Sequence, residues 1–226
     1  MCQDNGKIAM YKKMYYHNPN GQSFHYLMYS PEVIDDKKLP LLVFMHGAGE
    51  RGAADGSELE RVARHGFFKQ VQTEGKSFPF IMVGPQCPRD QYWVSYLESL
   101  NKFLDHIVAE NNVDTSRIYL TGLSMGGTAT WMWALDNPRR FAAIAPVCGQ
   151  GVNWYAEKLI HTSVQAYHGD IDEVVSVHES VEMVASINRK GGHATLKLFH
   201  GVNHNAWEYA YNDELVDWFL NFKIKQ

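Results

Sequence analysis

A continuous apolar run, "LPLLVFMHG" from Leu39, is followed by similar largely apolar runs: "FPFIMVGPQ" from Phe78, "RIYLTGLS" from Arg117, "FAAIAPVCG" from Phe141, "VQAYHGD" from Val164 and "TLKLFHG" from Thr195. Runs of this kind read as strands buried on both faces. Upstream, "YKKMYYH" and "SFHYLMYSP" flank "NPNG", which predicts an antiparallel hairpin over residues 11 to 31. Between the runs the period changes. "SELERVARHGFFKQVQ" predicts a helix beginning near Ser57, and "SYLESLNKFLDHIVAENN" places Leu97, Leu100, Phe103, Leu104 and Ile107 on one helical face with Ser95 as N-cap. "VHESVEMVASINRKGG" from Val177 and the stretch from Asn212 to Phe222 predict two more helices. A hairpin followed by strand–helix alternation implies an α/β architecture: an open, mostly parallel sheet with helices on both faces. With no linker, repeat or low-complexity segment, residues 1–226 read as a single domain.

Composition narrows the function classes. Of the 226 residues, 45% are hydrophobic and 20% charged, enough to build a real core. The aromatic share of 13% leaves rings to line a pocket as well as fill the interior. A net charge of −4 without a basic cluster argues against nucleic acid as a partner. The short charged runs at Asp35–Lys38 and Arg89–Gln91 read as solvated turns. Three cysteines, Cys2, Cys87 and Cys148, form neither a disulfide framework nor a zinc site, and pairing of Cys87 with Cys148 stays open. No stretch is apolar enough to span a membrane, and no signal-peptide core is present. Cys2, directly after Met1, leaves two readings of location: a cytoplasmic start, or an exported lipoprotein chain whose signal has been trimmed.

The sharpest local signal is "YLTGLSMGGTATW", from Tyr119 to Trp131. A strand-like run meets Gly122-Leu123-Ser124-Met125-Gly126 and continues into a helix-forming stretch. Glycines two residues either side of a serine remove side chains where a tight strand–turn–helix would clash, and the serine is held strained with its hydroxyl exposed. The adjoining helix start offers free N–H groups and a positive dipole end to a developing oxyanion. A serine hydroxyl needs a base to take its proton. In chain order an acid should follow a later strand and a histidine the last one. "YHGDIDEVV" supplies Asp170 and Asp172; "FHGVNHNAW" supplies His200 and His204. The remaining histidines are scattered without metal-ligand spacing, so neither metal nor cofactor is expected.

Four motifs, "HGAGERG" at His46, "GLSMGG" at Gly122, "HGDIDEVV" at His168 and "GVNHNAW" at Gly201, make the chain resemble the α/β-hydrolase superfamily. Its compact esterases, of the carboxylesterase, dienelactone-hydrolase and feruloyl-esterase type, are the nearest in pattern. The resemblance runs from Leu39 to the C-terminus and implies the α/β-hydrolase fold with Ser124 as nucleophile. It also implies Asp172, the last residue of the H-G-x-x-D stretch, as acid, with Asp170 in reserve, and His204 as base. One oxyanion donor is the N–H of Met125. By resemblance the other is the N–H of Ala48, with Gly49 as alternative. Glu50 and Arg51 either pair within that loop or face solvent, while His46 and His168 are expected to brace loops. His200, at a strand end, is expected to pack or to hydrogen-bond.

The connection from Cys148 to His161 is too short for the lid domain of larger relatives. An open site suits short-chain or aromatic acyl esters, free or attached to a polysaccharide such as feruloyl or acetyl groups on plant cell-wall polymers. Tyr92, Trp93, Trp154 and Trp207 fall at the expected rim, where a ring such as that of Trp93 or Trp154 could stack on substrate, the alternative for Trp207 being to pack behind the histidine. A serine peptidase of the same fold is the alternative reading, since the same steps cleave amides.

Overall fold

The computed structural model describes residues 10–32 and 37–224; Cys2 and the Asp35–Asp36 part of the expected solvated turn lie outside them. Strands β1 (Lys12–Tyr16) and β2 (Phe24–Tyr29) form the expected antiparallel hairpin, with Lys12 opposite Met28 and Tyr16 opposite Phe24. β3 (Leu39–Met45), β4 (Ile81–Pro85), β5 (Val113–Leu123), β6 (Ala143–Val147), β7 (Ser163–Gly169) and β8 (Ala194–Phe199) follow. They assemble in the order β1-β2-β4-β3-β5-β6-β7-β8. β2 joins β4 antiparallel, and every pairing from β4 through β8 is parallel.

Side chains alternate across this sheet into two cores. Leu41, Val43 and Met45 of β3 point to one face, where α2 (Leu97–Glu110), α3 (Met125–Asp136) and α4 (Val177–Arg189) pack with Phe103, Leu104, Trp131, Trp133 and Met183. Leu42 and Phe44 point to the other, covered by α1 (Gly66–Glu74) and α6 (Asp213–Leu220) through Phe67, Phe68, Leu215 and Phe219. A four-residue helix, α5 (Trp207–Ala210), precedes α6. This is the α/β-hydrolase fold. Trp131 and Trp133 are fully buried and pin α3 to the sheet. Burial of a large apolar side chain contributes on the order of 2–3 kcal/mol, which fixes the helix that begins beside Ser124.

Two expected elements differ. The helix from Ser57 is instead a 3-10 segment, Leu59–Arg64, followed by α1. Gly66 breaks them with φ of +66°, and a Cβ there would lie 2.4 Å from the Phe44 ring. Ser95 is not an N-cap: a 3-10 turn, Trp93–Tyr96, comes first, and α2 starts without a side-chain cap. Cys87 and Cys148 are free buried thiols, and burial pushes each up to about 12. Among the described residues no helix is long and apolar enough to cross a membrane.

Candidate active site

Loops at the carboxyl ends of parallel strands share one edge of the sheet, where ligands bind in open α/β sheets. Ser124 stands there between β5 and α3 with φ 54° and ψ −116°, a conformation a non-glycine residue adopts only under strain. Its N–H donates to the Val147 carbonyl at 2.8 Å, anchoring the turn to β6. The glycines on either side have a steric cause. A Cβ on Gly126 would lie 2.0 Å from the Met45 carbonyl oxygen, and one on Gly122 would lie 2.4 Å from the Gly126 carbonyl oxygen.

The structure brings Ser124, His204 and Asp172 together. His204 Nε2 is 2.8 Å from Ser124 Oγ, and its Nδ1 is 2.8 Å from Asp172 Oδ2. Asp172 Oδ1 accepts the N–H groups of Val174 and Val175, each at 2.9 Å, so Asp172 caps its own loop. Burial raises the Asp172 carboxyl, but the hydrogen bonds from His204, Val175 and Val174 outweigh it and hold the group below its ordinary value. Asp172 therefore stands ionised with its Oδ2 on the ring. With a carboxylate as partner, Nδ1 carries the hydrogen, and in the neutral ring Nε2 is the bare nitrogen facing the serine. Asp170 takes a different partner: His200 Nδ1 at 2.9 Å and the Gly201 N–H at 2.7 Å, both at the surface. His200 lies in that surface pair, 2.9 Å from Asp170.

The His204 loop reaches the Asp172 loop through a glycine. A Cβ on Gly169 would lie 2.1 Å from the Val202 carbonyl oxygen, so only glycine lets the two loops close. Asn203, which the sequence did not single out, ties them further. Its Oδ1 accepts from the backbone N–H of His204 at 2.7 Å and of Glu173 at 3.1 Å. Trp207 lies edge-on to the His204 ring, centroids 5.3 Å apart at 88°.

Ala48 opens a 3-10 turn, Ala48–Glu50, directly after β3, with Gly49 its second residue. Met125 opens α3 after the neighbouring β5, and Met45 pairs with Gly122 between them. First-turn N–H groups have no partner within their own helix. These two therefore lie at one end of adjacent strands, beside Ser124. Arg51 does not pair with Glu50; its Nε donates to the Ala48 carbonyl at 2.9 Å and its Nη1 to Gln91 at 3.2 Å. Both carbonyls are in reach of the loop, and Glu50 is turned inward toward Gly47.

His46 braces this loop. Its Nε2 accepts the Cys87 N–H at 2.9 Å, so its Nδ1 carries the hydrogen that meets the Gly47 carbonyl at 2.6 Å. Trp93 does not reach the rim. It is fully buried, its indole N–H donates to the His46 carbonyl at 3.0 Å, and its ring packs on the imidazole at 4.9 Å. Trp154, by contrast, is 88% exposed on the 3-10 segment Asn153–Leu159 that follows β6. Cys148, His168 and Asp172 have ligand-capable atoms within 4.8 Å of one another, and Asp172 already accepts from His204 and two backbone N–H groups.

Burial pushes the His46 imidazole down to about 4, against an ordinary 6.5. Below 6.5 the unfolded chain takes up this proton first, so folding stability falls as pH drops, until the folded state also titrates near 4. The full loss is about 3 kcal/mol. Urea midpoints measured from pH 7 to 4.5 should fall, and His46→Gln should flatten that slope. A midpoint flat over this range would contradict the buried neutral ring.

The fold, with these side chains gathered at the ends of its parallel strands, is that of the α/β-hydrolases. Residues 31–217 match the phospholipase/carboxylesterase family, and the chain belongs to that family. Over 94 residues, 42% of this chain, it is 31% identical to the bifunctional acetylxylan esterase/xylanase XynS20E of Neocallimastix patriciarum, of which the match spans 13%. A thermostable esterase superposes with a TM-score of 0.81 at 28% identity, covering 96% of this chain and 64% of that one. The feruloyl esterase module from Clostridium thermocellum, complexed with sinapinate, shares the fold with a TM-score of 0.69 at 17% identity, covering 94% of this chain and 87% of that one. The chain thus spans less than two thirds of the first two proteins.

Proposed function

We propose that this chain is a serine carboxylesterase acting through an acyl-enzyme intermediate. The observation that carries the reading is the unbroken hydrogen-bonded series Asp172–His204–Ser124, ending on a strained residue at a helix start. In the first half-reaction Ser124 Oγ attacks the ester carbonyl while His204 Nε2 takes the hydroxyl proton. The carbonyl oxygen becomes an oxyanion that the N–H groups of Ala48 and Met125 receive. The intermediate collapses as His204 returns the proton to the leaving alkoxide, releasing the alcohol. Water then attacks the acyl-serine with His204 again as base, and the acid is released with Ser124 restored. Asp172 stays ionised throughout and stabilises the imidazolium.

The substrate class that fits is a short-chain or aromatic acyl ester, including feruloyl or acetyl groups on plant polysaccharides. What supports it is the exposed ring of Trp154, the exposed Tyr92 on the connection after β4, and Ile171 and Val174 exposed beside the acid. The kinship with the acetylxylan esterase/xylanase points the same way. A flat acyl ring or a sugar ring gains by stacking on such faces. A long alkyl chain gains about 0.8 kcal/mol per CH₂ only where a groove buries it.

The test is a panel of C2, C4, C8 and C12 p-nitrophenyl esters, methyl ferulate and an amide analogue, with a fluorophosphonate label mapped by mass spectrometry. We expect label at Ser124 alone, a maximum of kcat/KM at C2–C4 or with methyl ferulate, and little amide cleavage. Trp154→Ala should lower kcat/KM for methyl ferulate by about three- to tenfold and leave p-nitrophenyl acetate nearly unchanged, matching the loss of one aromatic contact. A maximum at C8 or longer would move the assignment to a lipase or thioesterase, and comparable amide turnover to a peptidase.

A further inference from the structure

Asp172 sits in the connection between β7 and α4, a stretch without regular structure. The backbone N–H groups of Val174 and Val175 hold Asp172 Oδ1, while Oδ2 is faced by two rings, His204 and a second one from β7. His168, the second-last residue of β7, is fully buried. Its Nε2 lies 2.9 Å from the Val175 carbonyl and 3.2 Å from Asp172 Oδ2, while its Nδ1 lies 2.8 Å from Ser180 Oγ in the first turns of α4. The ring therefore joins a strand, the acid loop and a helix.

We propose that His168 is a positioning residue for the esterase reaction: its Nε2–H, shared between the Val175 carbonyl and Asp172 Oδ2, holds the carboxylate against His204. The inference rests on the serine-esterase reading above and adds a residue that acts through Asp172 without touching substrate.

The partners dictate the tautomer. The Val175 carbonyl and the Asp172 carboxylate are acceptors, so Nε2 must carry the hydrogen. In the neutral ring Nδ1 is then bare and takes the Ser180 hydroxyl hydrogen. This closes a small circuit. Val175 donates its N–H to Asp172 Oδ1 and accepts from His168 through its carbonyl, and His168 also faces Asp172 Oδ2. The carboxylate thus meets His168 and His204 on one oxygen and two backbone N–H groups on the other.

Neutrality matters as much as geometry. The titratable groups facing the ring are Asp172, His204 and the Cys148 thiol. Burial pushes the His168 imidazole below its ordinary value, against the Val175 and Asp172 contacts that raise it. A neutral donor orients the carboxylate and leaves its charge to the imidazolium that forms on His204. A cation at His168 would compete for that same oxygen. Arginine or lysine there would supply the bond at the cost of the charge balance, which gives a physical reason for an imidazole.

The test is a double-mutant cycle in kcat and KM, with folding checked by circular dichroism. His168→Met removes the donor at similar volume, and His168→Gln offers an amide N–H near the position of Nε2. We expect His168→Met to lower kcat about ten- to a hundredfold, the size of effect a small misplacement of a catalytic group produces, with KM within about twofold. His168→Gln should restore most of the loss. In the Asp172→Asn background His168→Met should change kcat by less than about twofold, because both substitutions act on one interaction. If His168→Met does not fold, Ser180→Ala releases the tautomer with only one oxygen removed, and the same non-additivity with Asp172→Asn is expected. Additive losses, or equal losses in the Met and Gln variants, would overturn the proposal while leaving the triad standing. An Asp172→Asn variant of full activity would overturn the serine-esterase reading itself.

Discussion

Ser124→Ala should fold as the parent does and lose ester hydrolysis by about 10⁵–10⁶ in kcat, as removal of an activated nucleophile does in other serine hydrolases. The fold should survive because the strained turn is held by backbone, not by the hydroxyl. The Ser124 N–H bonds to Val147, its carbonyl accepts from Thr128 at 2.9 Å, and Gly122 and Gly126 make the space. Alanine at φ 54° is no worse placed than serine. What disappears is the oxygen 2.8 Å from His204 Nε2, and no other described hydroxyl or thiol bonds to that nitrogen. Cys148, the nearest alternative nucleophile in type, is buried, and burial together with the Asp172 charge pushes its thiol up to about 12. A thiol so reluctant to ionise does not substitute for the serine. Any residual rate should be the modest acceleration that the oxyanion donors and binding provide without a nucleophile. Steady-state kinetics on p-nitrophenyl acetate, with the circular dichroism spectrum and thermal midpoint of the same preparation, check both halves. A variant that keeps a tenth of parental turnover would remove the acyl-enzyme mechanism from consideration.

The parts of the site that could be read from the sequence are those set by local geometry. The turn at Ser124 announces itself because three constraints fall within five residues: a strand end, a helix start and two glycines facing a neighbouring backbone. Most of the strands from β3 to β8 are legible for a similar reason. In β3, β4, β6 and β7 burial on both faces leaves little room for polar alternation, whereas the edge strand β8 alternates and is only partly buried. α3 was harder to outline by period because it is buried on most sides, with Trp131 and Trp133 both at 0% exposure two residues apart. Contacts between distant segments were not legible. Trp93 falls in a connection rich in polar residues and reads as rim, yet the 3-10 turn swings its ring under His46, a residue 47 positions away. The Ser57 stretch has helical composition, but Gly66 must pass close to Phe44 and splits it. Asn203 and Ser180 are ordinary polar residues in sequence. Their partners, Glu173 and His168, come from other parts of the chain.

The choice between Asp170 and Asp172 belongs to the same class, and it yields the second large effect. Both carboxylates lie in one loop, two residues apart, and the residue types alone do not separate them. The folded loop does. Asp172 has its side chain buried at 0% exposure, with Oδ2 on His204 and Oδ1 on two backbone N–H groups. Asp170 faces outward, where the His200 bond and the Gly201 N–H hold its carboxyl below the ordinary range. Asp172→Asn should therefore lower kcat by about 10⁴, since an amide in place of the carboxylate favours the wrong imidazole tautomer and leaves the imidazolium unpaired. His204→Ala should cost about 10⁶, comparable with Ser124→Ala, because proton removal and return both vanish with the ring. Combining it with Ser124→Ala should add little, since the residues act as a unit. Asp170→Asn should change kcat/KM by less than about threefold, as exposed ion pairs contribute little. The four variants measured on one ester at one pH decide the assignment. A large loss in Asp170→Asn with a small one in Asp172→Asn would mean that the loop reverses during turnover and presents the other carboxylate to His204.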